Sequence, residues 1–383
     1  MAYPVALAFL NILIAHRMFA IEYTAHLESN EGTFIAIARE AAAHPFDLRW
    51  WPLWDCGLPF QNTYLPLLHL IVAFYTRLAG ISAAFAFHRV SAAFYCLGPV
   101  TLYFMARELT GRPLGSLASA AAYSLVSPCA WLVPLIRVDQ SGAWNLRRLQ
   151  ILGYYGEGPY TACLAFLPLA ILFLYLALNR RSAWTQIGAV VFMGAAVLTN
   201  AFGATLLIMA GLSLIAAFGM ERPLRSVMLV AGLGLAAYCW ISPLMPPSVI
   251  AAIRMNSPTV DGDFRFTGRS LLGLAILATA FVLIWLIARR TLPAFLQFFL
   301  LFAALTTGTV MLGMQAHIYV VPQPHRYQIA MDMGLCLAAV FGAVELGRFL
   351  PDWVKEGWPK SSAVALIVLL VAWQTRHDMR YAR

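Results

Sequence analysis

Charge is what this chain has least of. Asp, Glu, Lys and Arg make up 11% of its 383 residues, against about 25% in soluble domains. With 61% apolar residues and a mean hydropathy of +0.74, a soluble globular protein is excluded. The six cysteines show no CxxC or CxxH spacing and lie mostly inside apolar runs. They imply neither a disulfide frame nor a zinc site and read as small packing residues. There is no P-loop, HExxH or GxSxG arrangement, so cytoplasmic nucleotide-sugar chemistry finds no support. Internal repeats and low-complexity tracts are absent too. The net charge of +9 does not point to nucleic acid, because the arginines stand in short clusters between apolar runs. The first run, residues 2–20, lacks a basic n-region and a small-x-small cleavage site, so it reads as a membrane helix and not a signal peptide.

What is there is a series of apolar runs. A crossing helix needs about 20 mostly apolar residues. Spans are predicted near 3–20, 83–106, 114–134, 160–178, 184–200, 202–219, 225–243, 270–288, 291–313, 327–347 and 361–374. That makes an all-α polytopic bundle of about eleven spans. The uncharged run 184–219 is too long for one helix and is split into a hairpin turning near Asn200. The stretch 64–80 is short and carries Pro66, His69 and Arg77. Read as a surface helix, it leaves the short basic connections 107–112, 179–182, 221–225, 288–290 and 347–360 on the inside, as the positive-inside rule requires. The loops 21–82, 135–159, 244–269 and 314–326 then share the outer face. Residues 1–374 form the membrane domain. The polar tail 375–383 reads as the start of an outer soluble domain.

The first loop gathers the carboxylates Glu22, Glu28, Glu31, Glu40, Asp47 and Asp55. Its stretch 31–43 carries Phe34, Ile35, Ile37, Ala38, Ala41 and Ala42 at helical spacing, which predicts an amphipathic surface helix. Ser29-Asn30-Glu31 supplies an N-cap and early negative charge. Two readings of Glu31 stand side by side. One is a helix-capping acid. The other is a carboxylate at the membrane boundary, acting as a general base or binding a divalent cation that supports a sugar-phosphate leaving group.

These residues resemble a family. Asn30-Glu31-Gly32-Thr33-Phe34 with Ala38-Arg39-Glu40 is similar to the acidic pair that opens the first surface helix of the GT-C superfamily. Its members transfer lipid-linked sugars and include protein mannosyltransferases and the aminoarabinose transferases of lipid A. The following W-x-x-W-x-x-G-x-P-x-x-x-x-Y-x-P-L, from Trp51 and Trp54 through Gly57, Pro59, Tyr64, Pro66 and Leu67, looks like the family as well. So do Arg89 and Arg107-Glu108 of the next helix. The specific match covers the first third. The whole chain also resembles bacterial membrane proteins, some labelled 6-pyruvoyl-tetrahydropterin synthase-related, a label without support in these residues. One departure matters: Asn30 stands where many members have an acid, and an amide is no base. Glu31 or Glu28 would then serve, or the chain is an inactive relative.

The resemblance implies a second acid from the loop 135–159 facing the first, and either Asp139 or Glu157 fills that role as a metal or acceptor ligand. The plain reading of Glu157 is a helix-start acid. Arg147-Arg148 reads as a phosphate grip or as a solvated pair. In the fourth outer loop, His325 and Arg326 precede a membrane helix, and Asp332 lies about two turns inside it. Arg326 suits a lipid phosphate through its guanidinium fork, with His325 beside it; an Arg326–Asp332 pair is the alternative. Asn30, Trp50, Trp51, Trp54 and Tyr64 would shape the site, as rings suit sugar faces and membrane interfaces. The loop 244–269 reads as a mobile cover. The function expected is transfer of a sugar from a polyprenyl-phosphate donor to an acceptor of unstated identity, on the outer face of a bacterial cytoplasmic membrane. Membrane lipid is the environment, and a divalent cation the one cofactor weighed. The rivals are a transporter or flippase-like protein, for which paired halves are missing, and an inactive relative.

Overall fold

In the computed structural model the chain is almost wholly helical across its described residues, 2–24, 29–45, 49–54, 56–180, 182–260, 264–347 and 360–381. Helix α1 (Ala2–Ala15) is followed by two helices of the first long loop, α2 (Glu31–Ala43) and α3 (Leu67–Ala79). Between them a two-residue antiparallel ladder pairs Trp50 with Pro59 and Trp51 with Leu58. Then come α4 (Ala83–Thr110), α5 (Pro113–Leu125), and the short α6 (Pro128–Leu132), α7 (Pro134–Asp139) and α8 (Arg147–Gly153). Helices α9 (Gly158–Arg180), α10 (Ala183–Thr199), α11 (Phe202–Phe218) and α12 (Pro223–Ile241) form the middle of the bundle. The chain continues with α13 (Pro247–Val260), α14 (Gly268–Thr291), α15 (Ala294–Met314), α16 (Gln328–Leu346) and α17 (Lys360–Tyr381).

Local chemistry sets most of the ends. The Ser82 hydroxyl accepts the Phe85 N–H at 3.2 Å to start α4, and Gly111, left-handed at φ +67°, stops it. The α10–α11 hairpin breaks at Asn200, which is extended; its Oδ1 accepts the Phe202 N–H at 3.0 Å and opens α11. The expected span 114–134 is not one helix. Val126 is extended after α5, and Pro128 and Pro134 each open a new short helix. A proline removes a ladder N–H and turns its predecessor away from helical geometry.

The expected count of eleven spans is not reached by length and apolarity. Six helices qualify among the described residues, or seven if α3 and α4 count as one broken span; α10 and α11, at 17 residues each, are shorter. Helix α3 has 13 residues, or about 20 Å, short of a hydrocarbon core of about 30 Å. It meets α4 at 119°, so the two do not form one straight span.

The interior is aromatic and tight. Phe298, Phe299 and Phe302 of α15 and Phe341 of α16 are fully buried. A Cβ on Gly334 would stand 2.9 Å from the Ala303 Cα, a close helix approach of the kind small residues permit in membranes. The outside is apolar as well: α14 exposes Leu271, Leu272, Leu283 and Ile287, and α12 exposes Leu224, Met228 and Leu235. Apolar exteriors on spanning-length helices mark an integral membrane protein.

Helix α4, 28 residues long, runs from one face to the other. At its far end Glu108 pairs with Arg180, and Arg112 pairs with Glu345. This gathers the ends of α4, α9 and α16 on one face. At its near end Ser82 donates to Glu22, and the first, second and fourth long loops meet there. Val249 of α13 packs with Leu65, so the third joins them.

Candidate active site

The site begins where α2 begins. Of the cap expected from Ser29-Asn30-Glu31, Ser29 supplies the bond, its Oγ accepting the Glu31 N–H at 3.2 Å, and Asn30 makes no side-chain cap. Its amide is drawn elsewhere: Nδ2 donates to Glu157 Oε1 at 2.8 Å, and its backbone N–H donates to the Tyr155 carbonyl at 3.1 Å. The first and second loops are therefore locked together. Gly156, at φ +66°, permits the approach, because a Cβ there would lie 2.8 Å from the Glu31 nitrogen.

Glu31 is buried and doubly engaged. Oε1 accepts the Thr24 N–H at 3.0 Å, and Oε2 meets His88 Nε2 at 2.9 Å. His88 is 1% exposed and sets its other nitrogen, Nδ1, 3.0 Å from the Ala84 carbonyl. Burial pushes the Glu31 carboxyl up, yet the bonds from His88 and Thr24 outweigh it and hold it below the ordinary carboxylate value.

Glu157 opens α9 but does more than cap it. It accepts from Asn30 and forms an ion pair with Arg326, which reaches in from the fourth loop. The Glu157 side chain is 3% exposed, while the Arg326 side chain as a whole keeps 24%. Arg326 Nε also donates to Gln323 Oε1 at 2.8 Å. Tyr64 lies within electrostatic reach of Arg326 and accepts the Asn200 amide at 3.2 Å. Of the two second-loop acids, the structure brings Glu157 to the first loop. Asp139 instead pairs with Arg147 and accepts the Tyr155 hydroxyl at 2.7 Å. Burial, then the Asp139 carboxylate, push that phenol up to about 12, so it remains a donor. His325 is exposed and lies within electrostatic reach of Arg326, Arg147 and Asp139.

Several expected partners are arranged differently. Arg326 does not pair with Asp332, whose carboxylate accepts from the Cys129 N–H at 2.6 Å and Sγ at 3.1 Å. Arg147 and Arg148 are neither solvated nor free. Both are buried, and Arg148 lies 4.3 Å from the ring centres of Tyr95 and Tyr123. Trp51 is fully buried with Ile37, Ala41, Phe60 and Ala73, where it ties α2 to α3. Trp54 meets it edge-on, and Trp50 is exposed. Glu28, Asp47 and Asp55 lie outside the described residues. His88 is the member that sequence reasoning missed. The signal was available, since an ionisable side chain inside a predicted span is a site candidate by default, but Arg89 next to it drew the attention. Arg89 in fact donates to the Phe19 carbonyl at 3.2 Å and stacks on Phe85.

A divalent cation needs several converging oxygen ligands. Among the described residues no three His, Cys, Asp or Glu side chains converge to hold a metal. Both oxygens of Glu31 and one of Glu157 already accept from protein donors. The described residues do not by themselves fit such an ion.

No protein-family model matches the chain, and no curated protein matches it significantly. Solved structures do. ArnT from Cupriavidus metallidurans, bound to undecaprenyl phosphate, aligns with a TM-score of 0.50 at 17% identity over 87% of this chain and 59% of that one. The Archaeoglobus fulgidus oligosaccharyltransferase in its apo form aligns with a TM-score of 0.50 at 13% identity over 99% of this chain and 56% of that one. The fold is GT-C-like. At these identities the likeness is one of fold, and the chain spans less than two thirds of either relative's length. The roles of Glu31, Glu157 and Arg326 therefore rest on their geometry here.

Proposed function

We propose that this GT-C-like membrane protein transfers a sugar from a polyprenyl-phosphate-linked donor to an acceptor, at the membrane face that carries Glu31 and Arg326. The supporting observation is the junction Asn30–Glu157–Arg326, which sets a partly exposed arginine beside a buried carboxylate at the mouth of an apolar bundle. Arg326 takes the donor phosphate, with His325 beside it. An arginine fork matches phosphate oxygens, and Glu157 orients it. An apolar groove of about 450 Å³ between α9, α10, α11 and α12 takes the isoprenoid tail. Its lining residues Ile241 and Met245 pack in one cluster with Leu65 and Tyr64, which leads the tail towards Arg326.

In the transfer, the acceptor oxygen bonds to the anomeric carbon while the bond from that carbon to the phosphate oxygen breaks. The electron pair leaves on the phosphate, where Arg326 stabilises the added charge. The acceptor proton passes to Glu31. The outer, periplasmic side of a bacterial cytoplasmic membrane is the proposed location.

The reading is tested with purified protein in vesicles, using polyprenyl phosphate as the lipid probe and a membrane lipid-linked sugar extract as the donor pool. Arg326→Ala should weaken lipid binding by about ten- to a hundredfold, the scale of a lost charge-assisted bond. Glu31→Gln should keep the lipid and lose release of polyprenyl phosphate. Lipid binding indifferent to Arg326, or full turnover in Glu31→Gln, would overturn the proposal.

A further inference from the structure

We infer that His88 is a positioning residue that holds Glu31 as a carboxylate, with the proton of the pair resting on the imidazole. The argument starts from hydrogen-bond polarity. His88 Nδ1 lies 3.0 Å from the Ala84 carbonyl, and a carbonyl can only accept, so Nδ1 carries a hydrogen. Nε2 lies 2.9 Å from Glu31 Oε2. With Nδ1 protonated, that second contact needs one more proton, on Nε2 or on the carboxyl.

The surroundings choose between them. Glu31 Oε1 accepts the Thr24 N–H at 3.0 Å, a bond that favours the charged carboxylate, and against the upward push of burial the bonds from His88 and Thr24 together hold this carboxyl below its ordinary value. His88 is 1% exposed, and a buried imidazolium needs a counterion in contact. The other charged or titratable groups described on the elements packed around the pair turn elsewhere, and Arg39 of α2 is exposed. On α4, Arg89 turns to Phe19 and Phe85. On α2, Glu40 pairs with His44 at the opposite end of the helix. On α3, His69 packs against Phe34 and meets Tyr64 edge-on. At the start of α9, Glu157 is taken by Asn30 and Arg326. In the segment before α2, Glu22 accepts from Ser82. Among the described residues, Glu31 is thus the acid that meets His88.

The catalytic consequence rests on the transferase reading. A clamped Glu31 stays ionised while the acceptor binds and offers its hydroxyl a fixed acceptor oxygen. The proton moves to Glu31 only as the new carbon–oxygen bond forms and the hydroxyl becomes acidic; His88 keeps its own proton throughout. Glu31 supplies position and negative charge more than basicity.

The test reads protonation directly in the full-length protein in lipid. The infrared carboxylic-acid C=O band that Glu31→Gln removes belongs to Glu31, and it is followed against pH in wild type and in His88→Gln. In wild type the band should be missing at neutral pH and appear only in acid. In His88→Gln it should appear about one to three pH units higher, the effect of losing an opposite charge in contact, and the acid limb of turnover should move with it. Nitrogen-labelled histidine should show both His88 ring nitrogens protonated at neutral pH, a readout that needs no variant. A wild-type Glu31 band at neutral pH, a neutral His88, or an unmoved titration in His88→Gln would overturn the inference. None of these spectra depends on turnover, so failure of the transferase reading would show separately, as lipid binding indifferent to Arg326 with the titration intact.

Discussion

At position 30 an amide stands where the family that this sequence resembles carries an acid, and the structure shows what the amide does. Asn30 donates to Glu157 at 2.8 Å, a bond a carboxylate could not make. Asn30→Asp would set two carboxylates against each other, which demands a shared proton or a cation. The variant should lose about 1–3 kcal/mol of stability in chelator and regain it on adding manganese, and Glu157→Gln in the same chain should remove the metal effect. Thermal unfolding with and without metal checks this; no change in chelator would mean the contact does not form. Glu31 yields a second prediction. Burial pushes its carboxyl up, but His88 and Thr24 hold it below the ordinary 4.5. A depressed carboxyl contributes stability that is present above its unfolded value and lost as pH falls through the folded one. The stability difference between wild type and Glu31→Gln should therefore be flat at neutral pH and shrink below 4.5, as followed by unfolding across pH. A difference that grew towards acid would reverse the assignment.

Among elements, the contact that matters most joins the turn before α9 to the start of α2. Gly156 sits there at φ +66°, with space for a Cβ closed by Ser29 and the Glu31 backbone. Gly156→Ala should cost about 1–3 kcal/mol through backbone strain alone. It should also weaken polyprenyl-phosphate binding several-fold, by parting the loops that hold Glu157 against Arg326. Helical content by circular dichroism should stay constant; unchanged binding and stability would show that the loops can separate freely. Element reading from sequence succeeded where patterns were local. The 3.6-residue spacing of Phe34, Ile37, Ala38 and Ala41 marks α2, and Asn200 marks the hairpin of α10 and α11. It failed over 114–134, where hydropathy sees one apolar run but Pro128 and Pro134 each remove a backbone N–H and break the helix. At the cap expected of Ser29-Asn30-Glu31, Ser29 supplies the bond, while Asn30 has a partner 127 residues away that sequence does not show.

For the molecule as a whole, the question is which side of the membrane the site faces. The ion pairs Glu108–Arg180 and Arg112–Glu345 mark one face, and Asn30–Glu157–Arg326 marks the other. Short basic connections favour the cytoplasm, so the site is proposed to face outward. Exposed Cys56 should then react with a membrane-impermeant thiol reagent in intact cells, while a Ser182→Cys variant with Cys56 and Cys239 replaced by Ser should react only after permeabilisation. The opposite pattern would turn the molecule over without disturbing its fold.

The membrane character, the helix α2 and the crowd of carboxylates in the first loop were legible because each depends only on neighbouring residues. Length and polarity of a run decide whether it can lie in hydrocarbon, whatever the rest of the chain does. Pairing is not local. Glu31 and His88 are 57 residues apart, and Glu157 and Arg326 are 169 apart. Sequence left Asp139 and Glu157 as equal candidates and passed over His88 altogether. Only the packing of α2, α4 and α9 with the fourth loop selects among them, because a buried charge must find its partner wherever the folded chain brings one within hydrogen-bond reach.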